Sequence, residues 1–570
     1  MTFLRSQSAG ASSLVVRRRG ASAGLVLAMA LVLVTPEVGH AARAMRALNA
    51  QRPTQDCPTC RPTQPGETSP GHSYDAGAQV FSFASTRFRV FYVTSTTDTV
   101  PATDTNENSV PDYVEMVASQ AEATYDGIIT DLGYPAPLSD TPCADLSPEE
   151  AEPKIDIYLL HVEASVSGYA GVECIPDPEY PQRAAGYIGL DNDYQFSVPS
   201  TYPDASYPVR AALGMTIFFL VQAAYDYLED PWWIYSSATW MSDNVADDVN
   251  AYFGDLDTFF QRPHYPLGYV GSNAPDIEYG HVTFPMFLVE GHTGQVNVLK
   301  KIWEKCGDVA GGNSFSAIDA VLQQELATTL DKELPVWAAW NLIAGEYDDG
   351  AHYSDGAAWS QVVTGSHIKL EQILGDDPDE VYPLGGESSS GSHPLTRAGG
   401  TTYIVFVSDQ GWDSLTLTFD GYERDTTTSA RLVRWGATAI LDFGENRYEA
   451  RAVPLDAAWY GTLEIPEWEQ VKRVILAGTN LYTGTSYDAG RSWFSFNALQ
   501  TVRLATPTPT ETPPPTATMT PLGPVPLLGG GGALAPLAIL LGAVILVRLS
   551  RVATGRAIGH LRSAGGRERS

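Results

Sequence analysis

The chain has 570 residues and a formal net charge of −32 at pH 7. Residues 1–44 contribute +4 and residues 548–570 contribute +5, so the part of the chain between these two ends carries −41. A charge of that sign disfavours nucleic acid and anionic lipid as partners, and it favours divalent cations or basic partners. The chain has only 5 cysteines, which excludes a small scaffold held together by disulfides.

The first 41 residues have the pattern of a secretory signal peptide. Three arginines at residues 17–19 precede an apolar run at residues 21–34, and residues 39–41 (GHA) give the small-x-small pattern of a cleavage site. The apolar run is shorter than the roughly 20 residues that a membrane-spanning helix needs, so we expect cleavage rather than a retained anchor. Residues 42–78 are rich in Pro and Thr and are predicted to be a flexible segment.

Residues 104–115 (DTNENSVPDYVE) follow the ligand spacing of an EF-hand calcium loop, with oxygen ligands at positions 1, 3, 5, 7, 9 and 12. The predicted ligands are Asp104, Asn106, Asn108, the carbonyl of Val110, Asp112 and Glu115. Ser109 stands where such a loop normally has glycine, and a strand rather than a helix is predicted before the loop. We expect calcium here, and the alternative is a turn rich in Asp and Asn that caps the helix starting at Tyr113.

The pattern of the folded part changes from helical to strand-like along the chain. Residues 79–385 contain predicted strands at 88–93 and 154–160 and a series of helices, of which the run at 209–227 is strongly apolar. Residues 386–504 contain short alternating strands separated by Gly, Asp and Asn turns, which predicts an antiparallel β-sandwich that serves as an accessory or binding module. The predicted fold class is α+β.

The cysteines predict one long-range disulfide. Cys143 and Cys174 lie in one loop-rich region and are expected to pair in an oxidising compartment. Cys57 and Cys60 form a CxxC in the Pro/Thr-rich segment, where a local disulfide is an alternative to a zinc or redox site. Cys306 lies in a helical pattern and is predicted to be a buried free thiol.

The C-terminal end has the pattern of a membrane anchor. Residues 505–526 are a Thr/Pro-rich stalk, residues 527–547 carry no charge, and residues 548–570 form a tail rich in arginine. The uncharged stretch has the length of a transmembrane helix, and the arginines after it place the tail in the cytoplasm. The sequence therefore predicts a single-pass protein of the cell surface with an extracellular N-terminal part, and a sorting signal that is later cleaved is the alternative.

A series of short motifs, in this order, resembles secreted bacterial zinc metalloproteases of the zincin type. The motifs are residues 88–92 (FRVFY), 104–115, 133–135 (GYP), 155–159 (IDIYL), 168–170 (GYA), 222–226 (QAAYD), 232–233 (WW) and 238–241 (ATWM). The resemblance covers roughly residues 85–500. It implies a zincin-like, mainly helical catalytic-type domain at 79–385 followed by the sandwich at 386–504.

The same resemblance shows what this chain lacks. Members of the family carry HExxH directly before the segment that matches residues 222–226, with two histidines as zinc ligands and the glutamate polarising the attacking water. The aligned residues here are Met215, Thr216 and Phe219, and the glutamate that supplies a third ligand aligns with Tyr235. We therefore expect no zinc and no catalytic residues.

Three functions are compatible with these patterns. The first is a pseudoenzyme, a surface-anchored metalloprotease-like domain that binds an extracellular peptide, protein or polysaccharide. The second is a hydrolase that is active through residues the sequence does not identify. The third is a purely structural stalked surface protein.

Overall fold

The computed structural model describes residues 61–63 and 73–502, except for positions 76, 144–146, 148, 151, 163–167, 198–200, 293–296, 362–366, 378–379, 390–392, 409–410, 422–432 and 489. The predicted signal peptide, stalk, transmembrane helix and basic tail lie outside the described residues, as does most of segment 42–78. Helices and strands are both abundant in the described part, so the predicted α+β class is confirmed.

The first sheet has five strands in the order β1-β2-β3-β5-β4. They are β1 Val80–Ala84, β2 Phe88–Val93, β3 Ile155–Leu160, β4 Gly168–Cys174 and β5 Ala185–Asp191. The three central strands run parallel, whereas the edge strands β1 and β4 are antiparallel to their neighbours. Side chains alternate along β3, so Ile157 and Leu159 face the main apolar core while Tyr158 and Leu160 face a second, smaller cluster. Both faces of this sheet are therefore covered.

Nine α-helices lie in the described part of the chain, and the first two of them in chain order pack against the first sheet. The nine helices are α1 Asp112–Tyr125, continued by a π-helical turn at Asp126–Asp131, α2 Ser206–Asp226, α3 Pro231–Val245, α4 Leu256–Phe260, α5 Ile277–Gly280, α6 Thr283–Glu290, α7 Asn297–Cys306, α8 Ser314–Glu325 and α9 Leu330–Leu342. In the described part of the chain, α2 is the one helix long and apolar enough to cross a bilayer, and 78% of its most apolar stretch is buried inside the fold. It is the central core helix, in contact with β4, β5, α1, α3 and α7.

Helices α2 and α3 approach each other closely at a glycine. A Cβ atom on Gly214 would lie 2.9 Å from the Cα of Ser242 on α3, which is too close for any larger residue without movement of the backbone. The hydroxyl of Ser242 donates a hydrogen bond of 2.8 Å to the carbonyl of Ala211 on α2. The two helices are thus fixed against each other along the segment that holds the aligned zinc positions.

Two further sheets follow the helices. One has the order β11-β10-β13-β8-β6 and the other β12-β9-β14-β7. Their strands are β6 Gln372–Leu374, β7 Leu384–Glu387, β8 Thr401–Val407, β9 Ser414–Asp420, β10 Trp435–Asp442, β11 Tyr448–Ala452, β12 Tyr460–Ile465, β13 Arg473–Asn480 and β14 Ser495–Thr501. All pairings are antiparallel except that of β6 with β8. Apolar side chains of both sheets meet in one cluster between them, as the sandwich prediction requires.

The sandwich shares an apolar core with the helices. The face of β8, β10 and β13 that turns away from the sandwich interior contributes Tyr403, Ile440 and Ile475 to the main core. The hydroxyl of Tyr403 donates a hydrogen bond of 2.8 Å to the carbonyl of Ala338 on α9. Residues 79–385 and 386–504 therefore pack as parts of one compact unit.

The structure confirms two predictions about cysteines. Cys143 and Cys174 form a disulfide, which ties the loop before β3 to the end of β4. Cys306 at the end of α7 is a buried free thiol, and burial raises its pKa above the usual range of a cysteine. Cys57 and Cys60 lie outside the described residues.

Candidate calcium loop and the positions of the zinc motif

The predicted calcium loop connects the first β-hairpin to α1, and its oxygen atoms are held by the loop's own N–H groups. The carboxylate of Asp104 accepts the backbone N–H of Asn108 at 3.2 Å and that of Ser109 at 2.8 Å. Ser109 has a φ of 69°, the left-handed conformation that the position-six glycine of such a loop favours. The chain therefore makes the sharp turn of the motif with a serine.

Glu115 faces back across the loop from the first turn of α1. Its two carboxylate oxygens accept the side-chain amides of Asn106 and Asn108, each at 2.8 Å. Because the backbone N–H of Asn108 also donates to Asp104, this residue connects the first and last predicted ligands. The side-chain carbonyl of Asn108 accepts the N–H of Val110 at 2.8 Å. Four of the predicted ligands are thus brought together around Asn108.

Asp112, another predicted ligand, is hydrogen-bonded to Thr105 of the same loop. Its carboxylate accepts the backbone N–H of Thr105 at 2.9 Å and the Thr105 hydroxyl at 2.6 Å, and these hydrogen bonds lower the pKa of Asp112. In the part of the chain that the structure describes, no group of three or more His, Cys, Asp or Glu side chains is placed to hold a metal ion. A cation in this loop would therefore rest on Asp104 and Glu115 together with amide and carbonyl oxygens, a donor set that suits calcium.

Of the four aligned zinc positions, Met215, Thr216 and Phe219 lie on α2 and Tyr235 lies on α3. Met215 is 4% exposed and belongs to the main core, and Thr216 donates its hydroxyl to the carbonyl of Ala212 at 2.7 Å. The ring of Phe219 meets the ring of Tyr235 edge to face, with the centroids 5.8 Å apart. Tyr235 also contacts Tyr279, at a centroid distance of 5.1 Å. The aligned position on α3 thus packs against one of those on α2.

A buried carboxylate near these rings was not predicted from the sequence. Glu278 on α5 is 7% exposed, and its Oε2 atom has no hydrogen-bond partner. Burial raises the pKa of Glu278 to about 7. His281, just after α5, is buried, and the centroid of its ring lies 5.3 Å from that of Phe259. Burial lowers the pKa of His281 to about 3. Glu278 lies in no sequence motif, so its burial had no local signal.

No protein-family model matches this chain, and no curated protein matches it either. The resemblance to zincin-type metalloproteases stays a prediction from the order of the short motifs.

Proposed function

We propose that this chain is an anchored protein of the cell surface whose metalloprotease-like domain binds an extracellular partner and does not hydrolyse it. The contact between Phe219 and Tyr235 carries the proposal, because it joins two of the aligned zinc positions directly. A catalytic zinc site needs three protein ligands and an open position for water. A phenyl ring packed on a phenol provides neither.

The other aligned positions support the same proposal. Met215 is buried among apolar side chains, and the hydroxyl of Thr216 is engaged with the backbone of its own helix. A general base for hydrolysis has to reach the attacking water with a free acceptor. Thr216 offers no carboxylate for that role.

Calcium is the cofactor that we propose for the domain. The oxygens of Asp104, Asn106, Asn108 and Glu115 form one hydrogen-bonded group at the surface. Weak calcium sites of extracellular modules fill at millimolar concentration, so even a modest site would be occupied outside the cell. The charge of −41 between the two basic ends also favours cations and basic partners. The partner would then be a peptide, protein or polysaccharide, with nucleic acid disfavoured by charge.

Zinc content and proteolysis of the purified full-length chain test the proposal. We expect far less than one zinc per chain after dialysis and no cleavage of casein. A known zinc protease assayed in parallel shows that the substrate is competent. Stoichiometric zinc together with chelator-sensitive cleavage would establish the alternative, an active hydrolase, and would overturn the proposal.

A further inference from the structure

The outer face of the first sheet, opposite the helices, holds a buried arginine from the segment before the fold. Arg61 is 1% exposed. The backbone N–H of Tyr74 donates to the carbonyl of Pro62 at 3.1 Å, so this short piece lies along the start of the folded part. An arginine in a Pro/Thr-rich stretch is expected in solvent, and arginine is rarely buried completely unless its charge is paired.

Acceptors surround the guanidinium of Arg61 on every side. Nε donates to Glu173 at 2.6 Å, and Nη2 donates to Asp140 at 2.6 Å. Nη1 donates to the Tyr158 hydroxyl at 2.9 Å and to the carboxylate of Asp156. The planar fork of an arginine satisfies acceptors in this arrangement, whereas the ammonium of a lysine offers three donors from a single point.

Aromatic rings and a disulfide support the pocket. The ring of Tyr158 stacks on Phe91 at a centroid distance of 4.8 Å, and the guanidinium carbon of Arg61 lies 5.9 Å from the ring centre of Tyr187. The Cys143–Cys174 disulfide joins a residue just after Asp140 in the chain to the residue next to Glu173. The two carboxylates that bind Nε and Nη2 therefore lie on segments that a disulfide joins.

The pocket places four carboxyl groups around one guanidinium. Besides Asp140, Asp156 and Glu173, the carboxylate of Glu150 lies 3.9 Å from Nη1 of Arg61. Asp140 and Glu173 are 4% and 7% exposed, and each keeps one carboxylate oxygen, Oδ1 and Oε1, without a hydrogen-bond partner. Burial raises the pKa values of both, and it raises the pKa of Asp156 to about 8.

We propose that this pocket is a binding site for guanidinium groups, which Arg61 occupies as a ligand carried by the same chain. The pocket thereby fixes the segment before the fold on the outer face of the first sheet. When Arg61 is removed, the pocket takes a guanidinium ion or the arginine of an added peptide.

Thermal unfolding of the full-length Arg61→Ala variant, with and without guanidinium ion, tests this inference. Guanidinium at about 10 mM, far below denaturing concentrations, is expected to raise the unfolding temperature of this variant by about 1–3 °C. The wild type and Arg434→Ala, which removes an exposed arginine paired with Asp331, are expected to show no rise. Sodium chloride and methylammonium chloride at equal ionic strength are the controls, because these cations carry the same charge and lack the planar guanidinium group.

Two peptides test whether the pocket binds the arginine of a peptide as well as the free guanidinium ion. The acetylated peptide of residues 61–66 (RPTQPG) should raise the unfolding temperature of Arg61→Ala at a lower concentration than guanidinium does, because it adds the contact of Thr63 with Glu150. The same peptide with lysine in place of arginine should have no effect. If Arg61→Ala does not fold, Arg61→Ala/Asp156→Asn, which removes one buried carboxyl group together with the guanidinium, is measured instead. No rise in either variant, or an equal rise with methylammonium, overturns the inference.

Discussion

The loop at residues 104–115 and the helix pair α2–α3 both contain motifs of the same resemblance, but they are built from opposite chemistry. The loop is exposed, and its oxygens are bound by N–H groups of the loop itself. The helix pair is largely buried, and at the aligned positions the ring of Phe219 packs on the ring of Tyr235. A cation can replace hydrogen bonds at a solvated surface, whereas between the helices it would have to displace packed side chains.

The largest effect that we expect is from truncating the packing between the helices. Met215→Ala removes a buried side chain and should lower the free energy of unfolding by about 2–5 kcal/mol. Met215→Leu keeps the volume and should cost less than about 1.5 kcal/mol. Urea denaturation, with zinc and with a chelator, is the measurement. If both variants lose the same free energy of unfolding, or if zinc changes that free energy, Met215 has a role besides packing.

The two regions also differ in how far the sequence predicts them. The ligands of the loop lie within twelve consecutive residues, so their spacing alone predicts that Asp104 and Glu115 come close to Asn108. The apolar pattern likewise predicts α2. The Arg61 pocket, in contrast, joins residues as far apart as Arg61 and Glu173, which are 112 positions apart. Within the segment 42–78, predicted to be flexible, nothing local distinguishes Arg61 from a solvated arginine.

A smaller effect should appear in the pH dependence of stability near the helix pair. Burial raises the pKa of Glu278 to about 7 from the usual 4.5, so the folded chain holds this proton more tightly than the unfolded chain. The free energy of unfolding therefore falls as pH rises from about 4.5 to about 7, by about 1–3 kcal/mol, and this contribution is fully lost above that range.

The variant Glu278→Gln tests this assignment, because the amide has a similar size and does not titrate. We expect its denaturation midpoint to fall less between pH 5 and pH 7.5 than that of the wild type. Glu304→Gln changes an exposed glutamate on α7 and should keep the wild-type profile. A Glu278→Gln profile equal to that of the wild type would mean that other groups hold the proton.

The smallest effect should come from the loop. Calcium at a concentration several-fold above Kd should raise the free energy of unfolding by about 1 kcal/mol. Asp104→Asn/Glu115→Gln removes two charges at nearly constant size and should abolish this gain. Thermal unfolding with calcium, with magnesium and with a chelator is the measurement. An equal gain in the double variant would place the calcium elsewhere.

Ser109→Gly should strengthen the loop, whereas the double variant Asp104→Asn/Glu115→Gln weakens its binding of calcium. Glycine adopts a φ of 69° without the steric cost that serine has, so this variant should gain about 0.5–1 kcal/mol and bind calcium more tightly. The control is Ser360→Gly in the 3₁₀-helix Gly356–Gln361, where glycine has no such advantage and should lower stability slightly. A loop that used its left-handed turn only to start α1 would gain stability from Ser109→Gly with no change in calcium affinity. Calcium affinity measured by calorimetry on this one variant therefore separates a cation loop from a helix cap.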